Sequence, residues 1–199
     1  MMIGYIKGKV LSHSDNVVLI ENNGIGYEVA CSSSVYNKLI SQGQGEVYTY
    51  LAVREDGVYL YGFISLEEKE MFMRLISVSG VGPKMGITIL SNMEIGDLAI
   101  KIATSDVKGL SKIKGLGKKT AERIIVELRE KFGSIDMETG EVEVMPIKDN
   151  TEEENKDAII ALMSLGLTKQ ECIKGIKSAK ENGAKTVSEI VSYALKNFR

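Results

Sequence analysis

The chain of 199 residues is 44% hydrophobic and 26% charged with a formal net charge of −2, the composition of a globular protein with one ordinary domain or a few small ones. It contains no apolar run of roughly 18 residues, the length that spans a membrane, and its start lacks the apolar region of a signal peptide. Its two distant cysteines, Cys31 and Cys172, do not match a zinc ribbon or a disulfide framework, so we expect a cytoplasmic protein with no membrane partner.

The first 64 residues are predicted to form strands. Apolar and polar residues alternate in IGYIKGKV, DNVVLIE and IGYEVAC, and two further β-rich runs flank Asp56-Gly57. Glycine tolerates the positive φ of tight hairpin turns, so this dipeptide predicts a hairpin. One short helical stretch, VYNKLIS, interrupts the strands. Five strands and one short helix predict a small closed barrel of the OB type in residues 1–64.

The hydrophobic period becomes helical from Leu66, and residues 65–133 are predicted to form an α-helical domain. LEEKEMFMRLISV places Phe72, Leu75 and Ile76 on one face. A second stripe in TAERIIVELREKF consists of Ala121, Ile124, Ile125, Leu128 and Phe132. We interpret both stripes as core, because apolar helix faces pack inward far more often than they bind cofactors.

Residues 134–154 contain 8 acidic and 1 basic side chains and few large apolar ones. This composition predicts a flexible acidic linker, with an acidic tail that mimics DNA as the alternative. Residues 155–199 then predict three short helices, with an N-cap at Thr168 and a break at Gly183. The pattern AL-x-x-LG resembles ubiquitin-associated-like three-helix modules, which usually bind protein.

A sequence repeat carries the candidate chemistry. SVSGVGPKMGITIL, residues 77–90, aligns with KIKGLGKKTAERII thirty-five residues later. Each copy has a helix, a Gly-apolar-Gly turn, a basic residue and a second helix, and so resembles the helix-hairpin-helix motif. Glycines let a phosphate approach the main chain, and the amides of the following helix N-terminus favour an anion. Residues 101–131 carry 9 basic and 4 acidic groups, which fits a polyanionic partner.

Nucleotide binding is the rival interpretation, and the spacing argues against it. A P-loop requires glycine five residues before Gly117, where this chain has Lys112, and Lys118 is followed by Lys119 rather than Ser or Thr. The dinucleotide fingerprint fails as well, since Thr120 occupies the third-glycine position. A tight helix connection without a ligand stays as a structural alternative.

Enzymatic chemistry finds no support in the sequence. Some helix-hairpin-helix proteins are glycosylases or nucleases, but two cysteines cannot hold a four-cysteine iron–sulfur cluster. The single histidine, His13, rules out most His-based metal sites, and we find no Ser-His-Asp, Cys-His or metal-carboxylate set around it. We expect a non-catalytic DNA-binding protein, with a nuclease or glycosylase and a protein-interaction scaffold as the alternatives.

MIGYIKGKV, GIGYEV, VREDGVYLYGF, GVGPKMG-x-x-IL and KGLGKKTAERIIVEL occur in this order and resemble the RuvA family, the Holliday-junction-binding subunits of the bacterial branch-migration machine. The resemblance implies an OB-fold domain, a tandem helix-hairpin-helix domain and a mobile third domain. It implies a homotetramer, or an octamer of two tetramers, that holds a four-way junction open and flat in recombination and DNA repair. The implied partners are the hexameric ATPase RuvB, engaged by the third domain, and the resolvase RuvC. ATP and Mg²⁺ would belong to RuvB, so no cofactor is expected in this chain.

The resemblance also gives a role to Glu55 and Asp56, which alone suggest an ordinary solvated turn. In a RuvA-like tetramer these acidic tips meet at the centre as a pin, repel phosphates and keep separating strands apart, while Arg54 holds a nearby phosphate. The first repeat has Pro83 where the second has Lys118, so the two copies cannot contact phosphate identically. The predicted DNA contacts are Arg54, Gly80, Gly82, Lys84, Gly115, Gly117, Lys118, Lys119, Thr120 and Arg123.

Overall fold

The computed structural model describes residues 3–133 and 151–197. Contacts between Cα atoms divide the chain into two compact units, Met1–Met93 and Glu94–Arg199. The domain boundaries predicted from the sequence follow changes in periodicity rather than contacts, and they stay predictions.

A closed five-stranded barrel forms most of the first unit, as the sequence predicts. Its elements are β1 Tyr5–Ser14, β2 Val17–Asn22, β3 Ile25–Cys31, α1 Ser33–Gln42, β4 Gln44–Arg54 and β5 Gly57–Phe63. The strands pair in the order β1-β2-β3-β5-β4, and only the β3–β5 pair is parallel. Closure leaves no unpaired sheet edge that would attract another chain.

The barrel interior is filled by the apolar members of the alternating runs. The buried set is Ile6, Val18, Ile20, Val29, Cys31, Val35, Leu39 and Val47. Helix α1 contributes Val35 and Leu39 from one face, so the short helix predicted between the strands is confirmed and packs on the barrel core. Gly43 ends α1 in a left-handed conformation with φ +64°, and its N–H donates to the Leu39 carbonyl at 3.0 Å.

Helices α2 Leu66–Ile76 and α3 Pro83–Asn92 belong to the same unit. The fully buried Phe72 ring lies 4.8 Å from the Phe63 ring of the barrel, measured between centroids. On its other side, a Cβ added to Gly86 of α3 would lie 3.0 Å from Phe72 Cδ2 and Cε2. Glycine at this helical position therefore allows α3 to approach α2 closely. This packing offsets the low helix propensity of glycine.

A buried carboxylate joins α2 to the barrel. Glu68 is 6% exposed; its Oε1 accepts from the Ser32 hydroxyl and its Oε2 from the Ile64 N–H, both at 2.9 Å. Burial raises the pKa of Glu68, while these two hydrogen bonds lower it. Since Ser32 precedes α1 and Ile64 follows β5, one side chain links two chain reversals at the same end of the barrel.

The second unit is entirely helical in the residues described. Its helices are α4 Ile95–Ala103, α5 Val107–Ser111, α6 Lys118–Gly133, α7 Thr151–Ser164, α8 Lys169–Glu181 and α9 Val187–Asn197. The stripe predicted in α6 is confirmed at four positions by the burial of Ala121, Ile124, Ile125 and Leu128, and the side chain of its fifth member, Phe132, lies outside the described part of the chain.

The predicted acidic linker differs from the structure at its end. Helix α7 begins at Thr151, so the last four residues assigned to the linker are helical. The remaining positions, 134–150, lie outside the described residues.

The last three helices, α7, α8 and α9, pack on one another as the predicted three-helix module, and α7 also contacts α4 and α6. The Arg129 guanidinium on α6 donates to the Ala103 carbonyl at the end of α4, and it pairs with Asp157 Oδ1 on α7 at 3.1 Å. The predicted N-cap is confirmed: the Thr168 hydroxyl and the Glu171 side chain form a reciprocal capping box. The predicted break at Gly183, with φ +89°, lies between α8 and α9.

We expect Gly86→Ala to destabilise the protein by about 1 kcal/mol, within a range of about 0–2 kcal/mol. The added methyl group gains helix propensity of about 1 kcal/mol, but it overpacks against a ring that has no room to move, at a cost of about 1–3 kcal/mol. The free energy of unfolding in urea checks this. The control is Gly96→Ala in α4, where the new Cβ would lie 3.9 Å from Leu195 Cδ1 and should be tolerated. A Gly86 variant more stable than the parent would contradict the close packing.

We expect Glu68→Ala to cost about 1–3 kcal/mol, because it leaves the Ile64 N–H without its acceptor. Glu68→Gln should cost less, since the amide oxygen can accept from the Ile64 N–H while the amide NH2 donates to the Ser32 hydroxyl oxygen. The raised pKa means that the folded state holds the Glu68 proton more tightly than the unfolded state does. The resulting gain in the free energy of unfolding is fully present below the pKa that Glu68 has in the unfolded chain. It is lost as the pH rises through the pKa that Glu68 has in the folded protein.

The free energies of unfolding of the parent and of Glu68→Gln, measured from pH 7 to pH 4, check the direction of this pH dependence. The parent should gain stability relative to the glutamine variant as the pH falls. A difference that does not change with pH would show that the Glu68 pKa is unchanged by folding.

Candidate nucleic-acid interface

The first Gly-apolar-Gly turn joins α2 to α3. The Val78 N–H donates to the Leu75 carbonyl at 3.1 Å, and the Val81 N–H donates to the Val78 carbonyl at 3.0 Å. Gly80 has φ +91°, a conformation that glycine adopts without strain. The first bond of α3 then runs from the Gly86 N–H to the Gly82 carbonyl at 2.9 Å.

The second turn, between α5 and α6, repeats these bonds thirty-five residues later. The Ile113 N–H donates to the Leu110 carbonyl at 3.1 Å, and the Leu116 N–H donates to the Ile113 carbonyl at 3.0 Å. Gly115 has φ +85°. Helix α6 begins with a bond from the Ala121 N–H to the Gly117 carbonyl at 3.0 Å. The sequence repeat is thus a repeat of backbone geometry.

The apolar residue between the glycines is buried in both turns. Val81 is 4% exposed and Leu116 is 3% exposed. The flanking Gly82 and Gly117 are exposed, so each turn presents main chain to solvent around a buried anchor. The first N–H groups of a helix have no partner within it, and these amides are the ones that can bind a phosphate. In the first copy, Pro83 removes one of them.

The cations on these helices divide into two kinds. Within the residues described, Lys84 of α3 and Lys119 of α6 are exposed and form no ion pair. Lys118 pairs with Glu122 at 3.7 Å and Arg123 with Glu127 at 3.1 Å, both at the i,i+4 spacing. Exposed pairs of this kind are worth about 0.3–0.5 kcal/mol, so a phosphate can replace the carboxylate at little cost.

The two glutamate partners were not identified in the sequence analysis. Glu122 and Glu127 follow Lys118 and Arg123 by four residues in KKTAERIIVE, and this spacing alone predicts the pairs. Thr120, the hydroxyl candidate, is half-buried in the first turn of α6.

Arg54 lies beside the first hairpin. A Cβ added to Gly82 would be 3.7 Å from Arg54 Nη2. The family resemblance implies a place for this arginine with the acidic pair. The structure brings the Arg54 guanidinium to the first turn. This turn has Pro83 at the position where the second turn has Lys118, so Arg54 supplies a positive charge in place of the missing lysine.

The acidic loop connects β4 to β5. Glu55 and Asp56 are both exposed at its tip, and Asp56 Oδ2 accepts a hydrogen bond from the Tyr59 hydroxyl at 3.1 Å. This hydrogen bond and the nearby carboxylate raise the pKa of Tyr59. Val53 and Val58 pair across the strands below the tip and are 73% and 64% exposed. The sequence analysis did not single out these two valines.

The described residues offer little for catalysis. None of the His, Cys, Asp and Glu side chains in 3–133 and 151–197 form a group of three or more placed to hold a metal ion. Both thiols are buried, and burial raises the pKa of Cys31 to about 12 and that of Cys172 to about 11, so they stay protonated at neutral pH. No helix in the described part of the chain is long and apolar enough to cross a membrane.

Two family models match this chain, one over the barrel and one over the two hairpins. The family model "RuvA N terminal domain" matches residues 2–62, and the model "SAM-like Helix-hairpin-helix tandem" matches residues 72–130.

Curated relatives match nearly the whole chain. A protein of Chromobacterium violaceum is 40% identical over 201 residues, 99% of this chain and 98% of the relative. One of Shewanella halifaxensis is 41% identical over 208 residues, which cover 99% of this chain and 100% of the relative. One of Thermotoga maritima is 38% identical over 196 residues, which cover 98% of this chain and 97% of the relative. Each is named "Holliday junction branch migration complex subunit RuvA".

We expect Lys84→Gln and Lys119→Gln each to weaken DNA binding by about eightfold at 0.1 M salt, because each loses about one phosphate contact. The slope of log K against log salt should fall by about 0.9 for each variant. Fluorescence anisotropy with a labelled four-way junction, repeated over a range of salt, measures both quantities.

Two further variants control this experiment. Lys174→Gln removes an exposed lysine from α8 and should leave affinity and slope unchanged. Glu122→Gln releases Lys118 from its pair and should strengthen binding about twofold. Equal salt slopes for the parent and both hairpin variants would show that the hairpins do not contact phosphates.

Proposed function

The chain belongs to the RuvA family, and we propose that it is the non-catalytic subunit that binds four-way junction DNA in a branch migration complex. The observation that carries this proposal is the pair of helix-hairpin-helix turns with matching backbone hydrogen bonds and buried Val81 and Leu116 anchors. Turns of this kind bind the phosphate backbone without reading bases, which suits a protein that recognises the shape of DNA. Its place of action is the cytoplasm.

The active assembly is a homotetramer, with an octamer formed when two tetramers enclose one junction. A four-fold assembly presents a pair of hairpins for each arm of the junction. Val53 and Val58, exposed next to the acidic loop, are apolar side chains that a contact between subunits would remove from water. This exposed pair supports contacts near the four-fold axis, where the acidic loops would meet.

Glu55 and Asp56 act through repulsion rather than binding. Carboxylates at the centre of the assembly repel phosphates of the crossover, which disfavours the stacked form of the junction and keeps the separating strands apart. Arg54 and the hairpin lysines hold the backbone on either side. Selectivity for the junction then comes from the arrangement of opposite charges and not from the total affinity.

The motor is a separate protein, the hexameric ATPase RuvB, and the three-helix module of this chain recruits it. ATP and Mg²⁺ belong to that partner, and this chain needs no cofactor. The resolvase RuvC acts on the same junction. The three-helix module has its own capped helices and buried core, which supports its action as a protein-binding unit.

We expect Glu55→Gln/Asp56→Asn to bind a four-way junction as tightly as the parent or more tightly, and to bind linear duplex several-fold more tightly. Loss of like-charge repulsion favours every DNA that reaches the loop, so the ratio of the two affinities should fall. Competition gel shifts with four-way and linear DNA of equal length measure that ratio.

The control variant Glu28→Gln/Glu181→Gln removes two exposed carboxylates elsewhere and should keep the parental ratio. An unchanged ratio in the acidic-loop variant would contradict the role of the pin. The same junction, incubated with the parent protein and Mg²⁺, should stay uncut; cleavage would favour a nuclease instead.

A further inference from the structure

The barrel carries a groove that neither the hairpins nor the acidic loop uses. It consists of two neighbouring cavities of about 680 and 160 Å³ that share Lys7 and Asn22 as lining residues. Strand β1, the start of β4 and helix α1 contribute to its walls. All of these elements belong to the first compact unit.

Three lysines line the larger cavity. Lys7 and Lys9 lie two residues apart on β1, on the face opposite the buried Ile6, and Lys38 comes from α1. Among the described residues, Lys9 and Lys38 form no ion pair, and Lys7 is 3.8 Å from Glu46 with 73% of its side chain exposed. The groove therefore presents ammonium groups that a phosphate backbone can use.

The two acidic residues of the groove are engaged by neighbours. Glu21 Oε1 accepts from the Gly24 N–H at 2.6 Å, and Glu46 Oε2 accepts from the Tyr5 hydroxyl at 2.6 Å. These contacts hold both carboxylates next to the barrel main chain and the tyrosine. Because Glu46 also lies 3.8 Å from Lys7 Nζ, Lys9 and Lys38 are the lysines of the groove without an ion pair among the described residues.

Two tyrosines line the smaller cavity. Tyr5 is 46% exposed, and its ring is fixed by the hydroxyl bond to Glu46 and by an edge contact with Tyr48, with centroids 5.7 Å apart. Tyr27 is half-buried at the same cavity. A ring held from two sides loses little conformational entropy when a base stacks on it.

We propose that this groove binds a short single strand of nucleic acid, at a site distinct from the hairpins. A positive groove combined with exposed aromatic rings is the combination that binds single strands in OB folds, where bases stack and lysines follow the backbone. A duplex does not fit this description, because its bases are already stacked on one another and offer no free face to Tyr5.

The position of the groove defines which strand it would take. Strand β4 runs from Gln44 at the groove to Arg54 at the acidic loop, a length on the order of 30 Å at about 3.3 Å per residue. The groove thus lies at the other end of β4 from the acidic loop, where the proposed function puts the crossover, and the inference rests on that function in this respect. It suits an unpaired stretch within or beside a junction arm, such as the gap of a branched replication intermediate.

The test uses the full-length protein and a labelled twelve-residue oligo(dT), followed by fluorescence anisotropy. We expect Tyr5→Ala to weaken binding about tenfold, within the range for loss of one stacked base, and Tyr5→Phe to keep it within about twofold. Lys9→Gln/Lys38→Gln should lower the salt slope by about 1.4, the value for two phosphate contacts on a single strand. Thermal unfolding checks that each variant folds like the parent.

The hairpin variant Lys84→Gln/Lys119→Gln separates this site from the proposed junction function. It should bind oligo(dT) like the parent while its affinity for the four-way junction falls, and Tyr5→Ala should show the reverse. Irradiation with an oligonucleotide that contains 5-iodouracil should crosslink to the peptide of Tyr5 or Tyr27. Loss of oligo(dT) binding in the hairpin variant, or equal binding by the Tyr5→Ala and Tyr5→Phe variants, would overturn the proposal.

Discussion

Burial of one apolar side chain between two glycines is the constraint on which the DNA-binding part of this protein depends. When Val81 or Leu116 enters the helical core, the chain must reverse within a few residues, and only a glycine adopts the positive φ at the turn without strain. The reversal leaves the following helix with its N-terminal amides directed away from that core. A feature of packing thus produces the main-chain geometry on which the proposed phosphate site rests.

The first hairpin is further positioned by the barrel. Phe72 packs against barrel rings on one side and against Gly86 on the other, and Glu68 holds two chain reversals at the barrel end. These contacts set the distance between α3 and strand β4. As a result, Arg54 of the barrel reaches Gly82 of the hairpin, and residues from two sequence motifs act at one place.

The sequence predicted the elements and missed most contacts between them. Period-2 alternation identified the strands of the closed barrel, and the Gly-apolar-Gly repeat identified the hairpins, because both are local patterns. The proximity of Arg54 to the first hairpin was missed, because the alternation of apolar and polar residues in a strand does not show which helix packs beside that strand. The helical start at Thr151 was missed because acidic composition is shared by flexible linkers and by helix N-termini. Pairing of Lys118 with Glu122 was predictable from spacing alone.

The ion pairs along α6 have a consequence for the movement of DNA. In the proposed function, Lys118 and Arg123 would each exchange a carboxylate for a phosphate, so binding at any one position of the backbone would gain little energy and leaving it would cost equally little. A DNA arm drawn past such a surface would meet a shallow series of minima. Friction would then stay low, and the protein would act as a bearing for the moving duplex.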